Sequence, residues 1–243
     1  MKGNELRLDE KLEELSKSLF SKDPRERFKA IKTLTELSLN ANVEVNKKAV
    51  ELIGLLASDK EVFVRWQVAI SLGKIAHPSG IKFLEKIAND EHANVRFRVA
   101  LALGLIGDRE AIPILERMSK DYYKIGEHAA VRAFVALALG MIGHEDGIKV
   151  LAKLIEDEDP VVRWHAAVAL GNIGHKDCVQ YLAKLINDPI KFVRAHTAIA
   201  LAQIGHESGL QYLEKLAKDS DEFVSKIANA SLELLKSILK SNR

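Results

Sequence analysis

The chain has 243 residues, 47% hydrophobic and 29% charged, with 36 Lys and Arg set against 34 Asp and Glu for a formal net charge of +2. This balance does not fit a general polyanion binder, and a single cysteine, Cys178, excludes an internal disulfide and points to a reducing compartment. The opening MKGNELRLDEKLEEL lacks the apolar core of a secretory leader, and no apolar run reaches the roughly 20 residues of a membrane helix, so a cytoplasmic protein without membrane association is expected.

In chain order, residues 1–58 are the least regular. LEELSKSLF reads as a capping helix, and DPRERFKAIKTL, with Arg27, as a weak first copy of a repeat. From residue 59 a phrase recurs, clearest as VRWHAAVALGNIG at 162–174 and VRAHTAIALAQIG at 193–205. Its Val-Arg pair falls at Val64-Arg65, Val95-Arg96, Val131-Arg132, Val162-Arg163 and Val193-Arg194, in steps of 31, 36, 31 and 31 residues. Val224-Ser225 continues the register without the arginine. A fixed period of this length marks a repeat array.

Each copy holds two helical patterns. After Val-Arg come small and apolar residues (Ala166, Ala167, Ala169, Leu170 and Ile173 in one copy) that favour helix and allow close packing. Gly107, Gly143, Gly174 and Gly205 then end the helix in a left-handed conformation. The next stretch, DCVQYLAKLIND, places Val179, Leu182 and Leu185 on one helical face, with Leu151 and Leu213 as sisters of Leu182. Asp-rich turns (EDEDP, NDP, KDSD) supply N-cap oxygens and prolines for the next start. No segment reads as a strand. The predicted fold is all-α: about seven antiparallel helix pairs with a 31-residue period, each unable to bury its apolar face alone, stacked as a right-handed α-solenoid. A single run over 1–243 is expected, with a divergent cap and first repeat at 1–58, regular repeats at 59–219 and a capping helix at 220–243.

DPVVRWHAAVALGNIG and NVRFRVALALGLIG resemble the HEAT-like repeats named after phycobilisome lyases, and the resemblance spans residues 59–219. It implies that the Val-Arg helix of each pair lines a concave face. It does not single out a function, because such repeats occur in bilin lyases, deoxyhypusine hydroxylases and binding scaffolds.

The Arg row (Arg27, Arg65, Arg96, Arg132, Arg163, Arg194) admits two readings: a ladder for an acidic ligand, or pairing with inter-repeat aspartates such as Asp59, Asp90, Asp157 and Asp188. The second suits a guanidinium fork at a joint between repeats. Positions flanking the arginine vary between copies and hold both tryptophans and six of the eight phenylalanines. The candidate partner groove is therefore Phe63, Trp66, Gln67, Phe97, Arg98, Phe134, Val161, Trp164, His165, Phe192, His196 and Phe223. The competing reading is that these side chains are ordinary packing between helices. Arg25, Lys29, Lys32, Lys74 and Arg98 make the N-terminal part of this register more basic, which would orient a partner through its acidic residues. The 36-residue step carries five extra residues around SKDYYKIGEHAA, so Tyr122 and Tyr123 are a candidate binding loop, or else part of a tolerated insertion.

His77, His144, His175 and His206 share one register, with Asp108 in the same slot of another copy. Helices about 8–10 Å apart cannot bring such residues within the roughly 2 Å of a shared ion, so turn or capping roles are expected and no metal is assigned. The resemblance to deoxyhypusine hydroxylases would require His-Glu pairs within the helices. The equivalent slots hold Trp164-His165, Phe97-Arg98 and Ala195-His196, while His144-Glu145 and His206-Glu207 fall in turns. Cys178 reads as a packing cysteine, with a reactive thiol as the alternative. No phosphate loop, dinucleotide fingerprint, nucleophile elbow or CxxC occurs. The expected function is a non-enzymatic scaffold or adaptor, without a cofactor, that binds a protein or peptide. The alternatives are self-association as a homodimer, a lyase-type enzyme or subunit, and nucleic-acid binding, which the modest charge disfavours.

Overall fold

A computed structural model describes residues 11–39, 41–121 and 127–241. Among them the chain is helical throughout, with no strand, and it divides into two compact units, 1–114 and 115–243.

The first unit contains α1 (11–18), α2 (Pro24–Leu39), α3 (Val43–Gly54), α4 (Val62–Ile75), α5 (Ile81–Ile87) and α6 (Ala93–Ile106), and it ends within α7 (Ile112–Met118). The Val-Arg helices pack in series, α2 on α4 and α4 on α6, with α3 and α5 against them. The second unit continues with α8 (Glu127–Ile142), α9 (Ile148–Leu154), α10 (Pro160–Ile173), α11 (Cys178–Leu182), α12 (Lys191–Ile204), α13 (Leu210–Leu216) and α14 (Glu222–Ser241). Here α8, α10, α12 and α14 pack in series and α9, α11 and α13 fill the other layer. The alternation of long Val-Arg helices with shorter ones is the predicted helix-pair repeat.

Small residues in the recurring phrase let the long helices touch backbone to backbone. A Cβ added at Gly140 would lie 2.8 Å from Ala169 Cα, and one at Gly171 would lie 2.9 Å from Ala200 Cα. In the first unit Gly73 stands in the same way 2.8 Å from Ala102 Cα. The sister leucines Leu151, Leu182 and Leu213 are fully buried in the layer opposite, where truncating any of them to alanine costs about 2–5 kcal/mol. The helix-ending glycines have φ between 67° and 72°. In one copy the same left-handed slot is filled by Ala76, at φ 53°. The backbone turn is therefore kept even where the glycine is not.

Candidate functional site

The arginines of the recurring phrase are clamps between successive turns. Arg132 Nε lies 2.6 Å from Asp157 Oδ2, Nη2 lies 2.9 Å from Oδ1, and Nη1 donates to the Asp121 carbonyl oxygen at 2.9 Å. Arg163 makes the same fork to Asp188, Arg194 to Asp219, Arg65 to Asp90 and Arg27 to Asp59. Arg96 donates to the carbonyl oxygens of Asp90 and Glu91. Of the two readings of this row, pairing is the one the geometry displays.

Each clamping aspartate also accepts the backbone N–H two residues on, at 2.9 Å for Asp59, Asp90, Asp157, Asp188 and Asp219. At Asp219 the Arg194 hydrogen bond holds the carboxyl below its usual range. At Asp59 and Asp90 burial pushes the other way, but the arginine and the backbone N–H outweigh it and the net shift is downward. The expected aspartate caps form in the EDEDP and KDSD turns, where Asp159 accepts from Val161 N at 2.8 Å before α10 and Asp221 accepts from Phe223 N at 3.0 Å before α14. The clamping Asp188 of NDP does not cap α12, and α4, α6 and α12 start after Glu61, His92 and Ile190 without a side-chain cap. The aspartate two residues earlier in each turn is committed to the arginine.

In the first unit, Phe28 of α2 and Phe63 of α4 meet with ring centroids 6.0 Å apart. Next along, the Arg98 guanidinium of α6 lies over two rings, 4.9 Å from the centroid of Trp66 and 4.5 Å from that of Phe97. Phe63, Trp66, Phe97 and Arg98 are all half-buried. Gln67 departs from expectation: it is only 8% exposed, and Nε2 donates to Ser71 Oγ at 3.1 Å. A buried hydroxyl one turn ahead satisfies the amide, so Gln67 belongs to the packed interior and not to a binding face.

In the second unit, Phe134 is half-buried. Trp164 lies between His165 and His196, at centroid distances of 4.8 and 4.9 Å. The Nδ1 atoms of these histidines sit 2.7 Å from the Val161 and 2.8 Å from the Phe192 carbonyl oxygen, so Nδ1 carries the proton in each. Val161, Phe192 and Phe223, one register position in three successive copies, are 45%, 52% and 42% exposed. Phe192 and Phe223 pack edge to face at 5.7 Å. Beside Phe192 is an open hollow of about 530 Å³ between the 189–194 and 220–221 turns, where Lys191 pairs with Asp221 at 3.2 Å.

A further register shows exposed apolar side chains that the sequence reading passed over: Leu105, Met141 and Leu234, nine residues beyond the Val-Arg register. Their sisters Lys74, Asn172 and Gln203 are exposed and polar. Variation between copies is the sequence signal these positions carry.

The remaining candidates have structural duties. Nδ1 of His77, His144, His175 and His206 accepts the backbone N–H two residues on, at 3.2–3.3 Å, and the Asp108 carboxylate does the same for Glu110. Among the described residues no group of three or more His, Cys, Asp or Glu side chains is placed to hold a metal ion. Cys178 is fully buried, and burial pushes its thiol up to about 11. Tyr122 and Tyr123 lie outside the described residues. No described helix is long and apolar enough to cross a membrane.

The sequence matches HEAT repeats over residues 49–130, 124–177 and 157–233. No curated protein matches it. Among solved structures it is similar to YibA of Escherichia coli, at 19% identity and a TM-score of 0.63 over 93% of this chain and 82% of that one. It is also similar to the complex of CpcE and CpcF of phycocyanin lyase from Nostoc sp. PCC7120, at 20% identity and a TM-score of 0.57 over 93% and 94% of the two chains. An engineered protein is 25% identical, with a TM-score of 0.53 over 93% of this chain and 68% of that one.

Proposed function

The chain belongs to the HEAT-repeat family, and from that premise we propose that it is a non-enzymatic scaffold or adaptor whose Val-Arg helices bind a protein or peptide. The observation that carries this reading is a split within one register. The repeated arginines are tied to aspartates inside the joints, while the variable positions beside them leave Trp66, Phe97, Trp164, Phe192 and Phe223 half-buried or exposed. Aromatic side chains that are held in place yet reach solvent are the usual anchors of protein interfaces. Helices locked together by buried ion pairs and backbone contacts order such a face before a partner arrives, which limits the entropy lost on binding. An amphipathic helix or an extended segment fits a face of this kind.

Photo-crosslinking tests the reading. A benzophenone amino acid placed at Ile199, on the Val-Arg face of α12, is expected to yield discrete adducts in cells that make the protein. The same group at Gln180, the exposed position of α11, is expected to yield none of them. Adducts from position 180 with none from position 199 would place binding on the other layer and overturn the proposal.

A further inference from the structure

Arg98 differs from the arginines of the clamp row. Its hydrogen bond goes to the Asn94 carbonyl oxygen one turn back, at 2.5 Å, and it has no carboxylate partner among the described residues. Its guanidinium is spread over the Trp66 and Phe97 rings, and burial alone pushes its pKa down. A partly dehydrated charge with open N–H donors is unfavourable until an anion meets it. The two rings hold the fork in one orientation, so little freedom is lost when one does.

The surroundings add positive charge and no compensation. Neither α4 nor α6 contains an aspartate or glutamate. Lys74, at the end of α4, is exposed and has no carboxylate partner among the described residues. Trp66 and Phe97 supply apolar surface beside Arg98. The face therefore complements a segment that carries a carboxylate next to a large apolar side chain. A nucleic-acid backbone suits it less well, because phosphate binding draws on many cations and these two helices offer Arg98 and Lys74 beyond the paired Arg65 and Arg96.

The geometry points to an acidic peptide segment of a protein partner as the occupant of this face, with an Asp or Glu carboxylate on the Arg98 guanidinium and a neighbouring apolar side chain against Trp66. This assignment rests on the partner-binding reading above and gives it a chemistry.

The test is selection of random displayed peptides on the full chain, followed by fluorescence anisotropy of the selected peptides. The same titrations use Arg98→Gln, Arg98→Lys and Trp66→Ala chains shown by circular dichroism to be folded. The expected winners carry Asp or Glu beside a large apolar residue. They should weaken about tenfold or more on Arg98→Gln, recover part of that on Arg98→Lys, and weaken as salt is raised. Winners that lose affinity on Trp66→Ala, yet show no excess of acid and ignore Arg98→Gln, would overturn the acidic partner and leave the aromatic face standing. Winners indifferent to Trp66→Ala, or a selection without winners, would overturn both. Displacement of the peptides by a single-stranded DNA oligonucleotide would reassign the anion to nucleic acid and overturn the peptide.

Discussion

Arg132 and Asp157 form a two-pronged ion pair, 2.6 Å from Nε to Oδ2 and 2.9 Å from Nη2 to Oδ1, with side chains only 3% and 1% exposed. The pair joins α8 to the turn before α10, and the arginine's remaining nitrogen holds the turn at Asp121. Removing one member strands the other charge without water. Arg132→Ala is therefore expected to lower unfolding stability by about 3–5 kcal/mol. Lys153→Ala, which breaks the exposed pair with Glu116, should cost under about 1 kcal/mol. Urea denaturation of the two variants makes the comparison, and equal losses would mean that the clamp is not structural.

Three sister clamps, Arg27–Asp59, Arg65–Asp90 and Arg194–Asp219, set the acid response. Asp59, Asp90 and Asp219 titrate below the ordinary carboxylate range when folded, so as pH falls the unfolded chain takes up protons before the folded chain does. Their contribution is complete above the unfolded aspartate value, near pH 4, and drains as pH falls through that value toward the folded ones. The urea midpoint should stay level from pH 7 to about 5 and fall steeply below about 4. A midpoint already falling between pH 7 and 5 would contradict this assignment.

Ala76 occupies a left-handed backbone position that its sisters fill with glycine. Ala76→Gly removes steric strain of about 1 kcal/mol, partly offset by the greater freedom of glycine in the unfolded chain. The variant is expected to gain up to about 1 kcal/mol, and Gly174→Ala to lose about that much. Thermal melts of both variants provide the check.

Cys178 is enclosed, and its thiol is raised to about 11, so the reactive thiolate is scarce at neutral pH. A thiol reagent such as DTNB should leave the native chain essentially unmodified and react with one thiol per chain in denaturant. Rapid native labelling would return Cys178 to the candidate reactive groups.

The periodic features were legible in the sequence because each is repeated and local. The Val-Arg spacing, the helix-ending glycines and the buried leucines at 151, 182 and 213 follow from helix geometry and burial within one copy, and pairing with the inter-repeat Asp59, Asp90, Asp157 and Asp188 is one of the two readings the Arg row admits. Features decided by a neighbouring side chain were not legible. Gln67 varies like a surface position but is drawn inward by Ser71. Asp188 stands in an Asp-rich turn like the capping Asp159 and Asp221, yet the Arg163 fork from the preceding repeat claims it and α12 starts without a cap. The stacking of Arg98 on Trp66 joins residues one repeat apart, and a residue-type pattern does not specify such contact.

The aromatic face beside the clamps is the surface proposed to engage a partner. The most direct measurement is affinity capture from lysate of the cells that make the protein, read by mass spectrometry, with wild type beside a folded Trp66→Ala, Trp164→Ala chain. A protein retained by wild type and lost by the variant is expected. An unchanged set of captured proteins would contradict the proposal and move the search to the opposite helix layer.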